Sequence, residues 1–249
     1  MRGRLYGIGV GPGDPELLTM KAYRILSEVD VVASPVSSQD REGIALSIVE
    51  KALGRQVNRL ELVFPMTREK KELELHWGTA VSKMLEKLDA GQDVAFVTLG
   101  DPLLYSTYCY VVRRLRGYPD IQITTIPGIT SFSACTAAFN VPLAEGDETV
   151  AILPGMGDPS QLEEALRSFD NIILMKAASN YDQIVRLLAE LGLSGNCLFA
   201  SRLGHGDELL STDVAHLGGQ KKDYLSLMVV KRNPYDLLKS SNGTATGCD

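Results

Sequence analysis

Short apolar runs alternate with stretches of helical periodicity along the first 126 residues of the chain. The predicted strands are 5–9, 31–34, 58–63, 94–99 and 121–126, and the predicted helices are 15–29, 42–53, 69–90 and 103–116. Helix 69–90 has the longest apolar stripe, formed by Leu73, Trp77, Val81, Met84 and Leu88, with the spacing that places side chains on one helical face. Strand–helix alternation of this kind is typical of α/β proteins with mainly parallel sheets.

A second series with the same alternation follows Pro127. Its predicted strands are 149–153, 171–175, 197–201, 209–214 and 224–230, and its predicted helices are 131–139, 160–168 and 181–191. We expect the last two strands to pair with each other across a glycine turn. The pattern therefore predicts an α/β protein with two domains, 1–126 and 127–232, followed by a flexible polar tail, 233–249. Ligands commonly bind where two domains meet, so we expect a ligand cleft between them.

The tripeptide Gly-Asp-Pro occurs three times, at 13–15, 100–102 and 157–159, each time between a predicted strand and a predicted helix. Asp is a preferred helix N-cap and Pro is tolerated at the first helical position, so each copy is interpreted as a helix start. The middle copy follows a fully apolar strand. Since ligands of open α/β sheets bind at the carboxyl ends of strands, Asp101 is predicted to cap its helix and also to help form a ligand site.

The glycine cluster at 7–14 (GIGVGPGD) suggests a second part of that site. It does not match the dinucleotide-binding pattern, because Pro12 or Asp14 occupies the position of the third glycine, and the chain has no P-loop pattern. Glycines permit close approach between backbone and ligand, so a flat ligand without phosphates suits this loop. A third turn, IPGITS at 126–131, ends the fifth strand in a similar way.

Charge and cysteine usage exclude other classes. The net charge of −6 argues against a non-specific nucleic-acid or membrane surface. The four cysteines form no C-x-x-C pair and the three histidines lack metal spacing, so no metal site is predicted. No secretory signal or apolar run of bilayer length is visible, and we expect a cytoplasmic protein.

Taken in order, the segments GVGPGDPELLT, VTLGDPLLYST and IPGITSFSACTAA strongly resemble the tetrapyrrole (corrin/porphyrin) methyltransferase family, which uses S-adenosylmethionine. The later segments NIILMKA and ASRLGHGDE fit the same family, so the resemblance covers 4–231. Within the family, the run GDPLLYSTYCYV is most similar to members that methylate C(20) of precorrin-2 or cobalt-factor II in cobalamin biosynthesis.

The resemblance implies a tetrapyrrole methylase fold, a homodimer and a tetrapyrrole substrate, with the methyl donor S-adenosylmethionine bound between two domains. The implied donor-binding residues are Pro12, Leu99, Gly100, Asp101, Leu104, Tyr105, Thr130, Ser131, Met175, Lys176, Arg202 and Leu203. Asp101 is also the candidate catalytic residue, as a base for the methylated carbon or as an orienting group. The implied substrate-binding residues are Gly9, Gly11, Gly13, Arg41 and Arg68, with Lys70 and Lys71 as further cations for substrate carboxylates.

Two kinds of alternative remain open from the sequence. A family sibling, such as uroporphyrinogen-III C-methyltransferase or the more distant diphthine synthase, would share the donor site and act on another acceptor. A tetrapyrrole-binding carrier would bind the ring without catalysis. The three intact corners argue against the carrier, because a carrier needs no donor pocket.

Overall fold

The computed structural model describes residues 1–37, 43–65, 67, 69–155, 159–219 and 222–233. The chain divides into two compact units, the first being Met1–Thr130 and the second beginning at Ser131. The prediction of domains at 1–126 and 127–232 with a tail at 233–249 stays a prediction, and 234–249 lie outside the described residues. In each unit helices pack on a β-sheet, which confirms the α/β class.

The first unit contains a five-stranded sheet that is parallel throughout. Its strands are β1 (Leu5–Gly9), β2 (Val31–Val36), β3 (Arg59–Val63), β4 (Val94–Thr98) and β5 (Ile123–Ile126). Their order is β3-β2-β4-β1-β5, and every pair is parallel. Because all five strands run the same way, their carboxyl ends meet along one edge, where ligands bind in sheets of this type.

Four α-helices cover the two faces of this sheet: α1 (Met20–Glu28), α2 (Ile44–Leu53), α3 (Lys70–Asp89) and α4 (Tyr108–Leu115). One apolar core lies under α3 and α4 and includes Phe96 and Tyr108, and the other lies under α1 and α2. All five residues of β4 are buried, as expected for a central strand covered on both faces.

Two predicted helices of this unit begin later than expected. Residues Pro15–Leu17 form only a short 3₁₀ helix, and α1 starts after Thr19, whose hydroxyl accepts the Ala22 N–H at 3.2 Å. The predicted start at residue 103 is also wrong, because α4 begins at Tyr108 and the preceding residues form turns. In both places polar side chains bond to nearby backbone N–H groups and favour turns over helix.

The second unit contains a mixed sheet. Its elements are α5 (Ser131–Phe139), β6 (Val150–Pro154), α6 (Pro159–Ser168), β7 (Asn171–Met175), α7 (Tyr181–Glu190), β8 (Cys197–Ser201), β9 (Leu209–Ser211) and β10 (Ser226–Lys231). The strand order is β6-β7-β10-β8-β9, and only β6 and β7 pair in parallel. The prediction of mainly parallel pairing is therefore wrong for this sheet.

The predicted pairing of the last two strands is also wrong. Strand β9 pairs with β8, whereas β10 inserts between β7 and β8 and is buried along its whole length. Its apolar residues pack on both faces, including Met228 on one and Val229 on the other. In the centre of the sheet β10 buries more apolar surface than it would in a hairpin at the sheet edge. Burial of apolar surface therefore decides the strand order. Within the described ranges, no helix is both long and apolar enough to cross a membrane.

Candidate functional site

Three loops converge at the carboxyl edge of the first sheet, where β4, β1 and β5 lie side by side. The N–H of Gly100 donates to the carbonyl of Gly11 at 2.8 Å, and the N–H of Val10 donates to the carbonyl of Thr98 at 3.0 Å. The loop after β1 is therefore bonded directly to the loop after β4. Gly11 and Gly100 have φ of +80° and +62°, which glycine adopts without steric cost.

The loop after β5 approaches the same point through a glycine contact. A Cβ added to Gly9 would lie 2.7 Å from the Cα of Gly128, and one added to Gly128 would lie 2.8 Å from the Cα of Gly9. Either Cβ would also collide with the carbonyl oxygen of Gly100. The three loops therefore meet backbone to backbone, and any side chain at Gly9 or Gly128 would push them apart. Gly128, absent from the predicted site residues, is part of this contact between the loops.

Asp101 links two of these loops, but it does not cap α4. One carboxylate oxygen accepts the N–H of Leu103 at 2.8 Å, and the other accepts the N–H of Gly128 at 3.2 Å. The predicted helix cap at Asp101 is wrong, because α4 starts seven residues later in the chain, at Tyr108. Its carboxylate instead ties the loop after β4 to the loop after β5.

A set of buried hydroxyls fixes the far end of the loop after β4. The hydroxyl oxygens of Thr98 and Ser106 lie 3.1 Å apart, and Ser106 Oγ accepts the N–H of Tyr108 at 3.1 Å. The Tyr108 hydroxyl in turn lies 3.0 Å from Thr125 Oγ1 on β5. Burial raises the pKa of Tyr108, so its hydroxyl keeps its proton. Ser106 and Thr98 were not predicted as site residues, although small hydroxyl residues at a strand end are a usable signal.

Backbone strain coincides with the predicted donor site. In the part of the chain that the structure describes, the non-glycine residues with positive φ are Tyr105, Asn140, Lys176 and Arg202, with φ of 49°, 52°, 60° and 53°. Three of these four belong to the predicted donor-binding set. Strained backbone persists only where its surroundings enforce it, and it is concentrated at ligand sites. The dihedral angles therefore mark these three residues independently of any motif, and they also mark Asn140, which is outside the predicted set.

In the second unit, Met175 and Lys176 lie at the end of β7. The hydroxyl of Ser131 donates to Met175 Sδ at 3.8 Å, which joins the start of α5 to this strand end. The Lys176 ammonium lies 5.2 Å from the centre of the Tyr224 ring, within the range of a cation–π interaction. Within this unit the structure therefore brings Ser131 and Met175 together and places Lys176 at the same strand end.

Arg202 is engaged by two acidic residues, Asp207 in its own loop and Asp223 in the segment before β10. Its Nε lies 2.6 Å from the Asp207 carboxylate, and its Nη1 lies 3.6 Å from Asp223. The hydrogen bond raises the pKa of Arg202 and lowers the pKa of Asp207. Leu203 beside it is buried in the apolar cluster under α5. Arg202 is thus positioned by its neighbours, with less of its charge available to a ligand than the sequence suggested.

The remaining predicted residues fall into three groups. Those within the three converging loops of the first unit or at the strand ends that lead into them are Gly9, Gly11, Pro12, Gly13, Leu99, Gly100, Leu104, Tyr105 and Thr130. Arg41 and Arg68 lie outside the described residues, and Lys70 and Lys71 are exposed at the start of α3. Across the described ranges, no group of three or more His, Cys, Asp or Glu residues is placed to hold a metal ion.

Comparison with known proteins points to one family. The family model of tetrapyrrole (corrin/porphyrin) methylases matches residues 4–217. The chain is 36% identical over 238 residues to the probable cobalt-precorrin-2 C(20)-methyltransferase of Methanocaldococcus jannaschii, covering 92% of this chain and 96% of the relative. It is 35% identical over 193 residues to the cobalt-precorrin-2 C(20)-methyltransferase of Salmonella typhimurium, covering 78% and 81%.

Among solved structures, the uroporphyrin-III C-methyl transferase of Thermus thermophilus, complexed with S-adenosyl homocysteine, has a TM-score of 0.66. The match covers 96% of this chain and 100% of that chain at 23% identity, so it supports the fold. The fold and the family predicted from the three corner motifs are both confirmed. The chain belongs to the tetrapyrrole (corrin/porphyrin) methylase family.

Proposed function

We propose that this protein transfers a methyl group from S-adenosylmethionine to C(20) of precorrin-2 or cobalt-factor II in cobalamin biosynthesis. The observation that carries the proposal is the 36% identity over 92% of the chain to a relative named for C(20) methylation of cobalt-precorrin-2. The convergence of three loops at one sheet edge supports an enzyme over a carrier, because a carrier needs no donor pocket.

The donor supplies an electrophilic methyl group on a sulfonium. When the ring carbon bonds to that methyl, the carbon–sulfur bond breaks, the sulfur keeps the electron pair, and C(20) then loses its proton. This chemistry depends mainly on holding carbon, methyl and sulfur in line. The loops of the first unit suit that task, since their mutual bonds and glycine contacts leave little freedom of movement.

In the first unit we assign donor binding to the backbone of Leu99, Gly100 and Asp101 and to the strained turn at Tyr105. Carbonyl groups at such a turn can interact favourably with a sulfonium. At Gly9 the three loops meet backbone to backbone and leave no room for a side chain. Pro12, Leu104 and Thr130 complete this part of the proposed donor site.

Asp101 is proposed to orient the site, with proton removal from the methylated carbon as the alternative role. Both of its oxygens accept backbone N–H bonds, which suits a group that holds two loops in place. The Asp101→Asn variant removes the possible base and also the bond to Gly128, because an amide nitrogen cannot accept an N–H. Retention of one tenth or more of the wild-type kcat supports orientation, whereas release of a C(20)-methylated ring that keeps its proton supports proton transfer.

The second unit contributes a separate part of the proposal. Ser131, Met175, Lys176, Arg202 and Leu203 are proposed to bind the donor, and the strained φ of Lys176 and Arg202 supports this role. For the substrate, Gly9, Gly11 and Gly13 are proposed to border the tetrapyrrole, and Arg41 and Arg68 are proposed to meet its carboxylates.

We further propose a cytoplasmic homodimer. Exposed large apolar side chains, including Leu75 and Leu103 at 69% and 60% exposure, support an interface with a second copy. Cys109, Cys135 and Cys197 are not in disulfides, which is usual in a reducing compartment. Light scattering after size-exclusion chromatography would give the oligomeric state, and a monomer at micromolar concentration would contradict the dimer.

The activity is tested by incubating the purified protein with methyl-labelled S-adenosylmethionine and either precorrin-2 or cobalt-factor II. We expect one labelled methyl on C(20), located by NMR. A methyl on another carbon, or methylation of uroporphyrinogen III in preference, would indicate a sibling activity. Tight ring binding without methyl transfer would support a carrier and contradict the enzyme.

A further inference from the structure

At the N-terminus of helix α2, two hydrogen-bond donors have no partner among the described residues. Its N-cap is Gly43, which has no side chain to cap the helix. The N–H groups of Leu46 and Ser47 bond to the Gly43 carbonyl at 2.9 and 3.1 Å. The N–H groups of Ile44 and Ala45 have no hydrogen-bond acceptor among the described residues, as expected for the first turn of a helix without a cap.

A buried hydroxyl lies against this helix end. Ser34, on β2, is 1% exposed, and its Oγ has no hydrogen-bond partner within the described part of the chain. It shares a sheet face with Val32, which packs in the apolar cluster under α2. A Cβ added to Gly43 would collide with Ser34 Oγ. A buried polar atom is rarely left without a partner in a folded protein, so this one calls for an explanation.

The position of Ser34 connects it to the methyl-transfer site. Strand β2 is next to β4, with Ala33 opposite Phe96, and continuing that register places Ser34 opposite Val97. Neighbouring strands lie about 4.8 Å apart, so Ser34 is one strand away from the loop that carries Gly100. The α2 N-terminus lies at the same carboxyl edge of the sheet, beside the converging loops.

We propose that Ser34 and the N-terminus of α2 bind one carboxylate of the tetrapyrrole substrate. The proposal rests on the proposed function, which makes the acceptor a ring that carries acidic side chains. Helix N-termini attract carboxylates through their exposed N–H groups and the helix dipole. The Ser34 hydroxyl adds a further donor, and the half-buried Ile44 is where this end of the helix reaches the surface.

Among the described residues, one acidic side chain bears on this site. Glu61 on β3 is opposite Ser34 in the register of β2 and β3 and shares its sheet face. It makes no hydrogen bond or ion pair with any described residue, so it does not satisfy the helix N-terminus. Since like charges repel, Glu61 weakens the attraction for a bound carboxylate, and the Glu61→Gln variant is expected to bind the substrate more tightly.

The test compares Ser34→Ala with Ser47→Ala, a matched change on the half-buried part of α2. We expect Ser34→Ala to raise the KM for the tetrapyrrole about tenfold, as the loss of a hydrogen bond to a charged group predicts. The kcat and the KM for S-adenosylmethionine should not change, nor should those of Ser47→Ala. The thermal midpoint of Ser34→Ala should not fall, because the variant removes a buried hydroxyl that has no partner among the described residues.

A binding measurement tests this inference independently of methyl-transfer activity. Uroporphyrin III, with eight carboxylates, is titrated into the wild type and the three variants in the absence of donor, and bound probe is measured by fluorescence. Ser34→Ala should weaken binding about tenfold, and Glu61→Gln should strengthen it. Equal affinity of the wild type and Ser34→Ala, or no binding by either, overturns the inference even if methyl transfer is confirmed. A raised KM for S-adenosylmethionine alone would assign the site to the donor carboxylate and also overturn it.

Discussion

The Gly-Asp-Pro corners at 13–15 and 100–102 have the same tripeptide and one hydrogen bond in common, and they differ in the second carboxylate oxygen. Asp14 Oδ1 accepts the N–H of Glu16 and Asp101 Oδ1 accepts the N–H of Leu103, both at 2.8 Å. Only Asp101 also bonds across to another described loop, at Gly128. The same tripeptide with the same local hydrogen bond therefore starts a 3₁₀ helix at Asp14, whereas Asp101 also links two loops at strand ends.

The cause of the difference lies in the sheet. Asp101 follows β4, whose neighbour β1 separates it from β5 by one strand. Because Gly9 at the end of β1 has no side chain, the loop after β5 can reach the carboxylate over it. Asp14 lies beyond the glycine loop, at the start of a 3₁₀ helix.

Alanine substitution at the two aspartates tests the comparison most strongly. We expect Asp101→Ala to lower kcat/KM for methyl transfer about a hundredfold, because displaced loops lose the in-line geometry. Steady-state kinetics with both substrates varied would measure it. An Asp14→Ala variant with an equal loss of activity would show that the second bond of Asp101 has no special role.

The Gly128→Ala variant should have the next largest effect. Its methyl group would meet the backbone of Gly9 and Gly100, and overpacking of this kind costs about 1–3 kcal/mol in the free energy of unfolding. Denaturant titration followed by circular dichroism would measure the loss. The matched control is Gly78→Ala, in the exposed middle of α3 with open space around it, which should stabilise the protein by up to about 1 kcal/mol.

Removal of the Ser106 hydroxyl should have a smaller effect. Ser106→Ala breaks the contacts with Thr98 and with the Tyr108 N–H, and loss of such bonds costs about 1–2 kcal/mol. Ser27→Ala, which removes an exposed hydroxyl bonded within α1, is the control and should change stability little. If both variants unfold at the same denaturant concentration, the buried hydroxyls do not hold the loop.

The smallest effect is expected for Asp14→Ala itself. Loss of a helix cap costs about 1 kcal/mol, and here the capped 3₁₀ helix has three residues. Activity should stay within twofold of the wild type at saturating substrate. A tenfold fall in kcat would indicate that this corner also contacts a ligand.

Local sequence predicted much of the fold. Strands such as β1 and β8 have the predicted bounds, because each is a short run of residues bounded by clear turn and helix signals. The same local signals misplaced α4 and the cap at Asp101, since the bond to Gly128 joins residues 27 positions apart. The position of β10 was missed for a similar reason: strand order depends on burial across the whole sheet.

The candidate site was harder to predict from local sequence patterns than the fold. Periodicity placed the three loops at strand ends, but only the resemblance to a family indicated a methyl donor. Neither source indicated that Gly9 and Gly128 touch, because contact between backbones leaves no pattern in side-chain chemistry. The Ser34 hydroxyl, which has no partner among the described residues, was equally hidden, since an isolated serine in an apolar strand resembles many others.

The contact between Gly9, Gly100 and Gly128 has a consequence for protein engineering. None of the three loops can change shape without displacing the other two. A single loop grafted from a relative would therefore not fit against the two loops that it has to contact. Chimeras that exchange the segments after β1, β4 and β5 as one set should fold, whereas exchange of any one alone should yield insoluble or inactive protein. At this edge of the sheet, three separate stretches of sequence therefore have to be exchanged together.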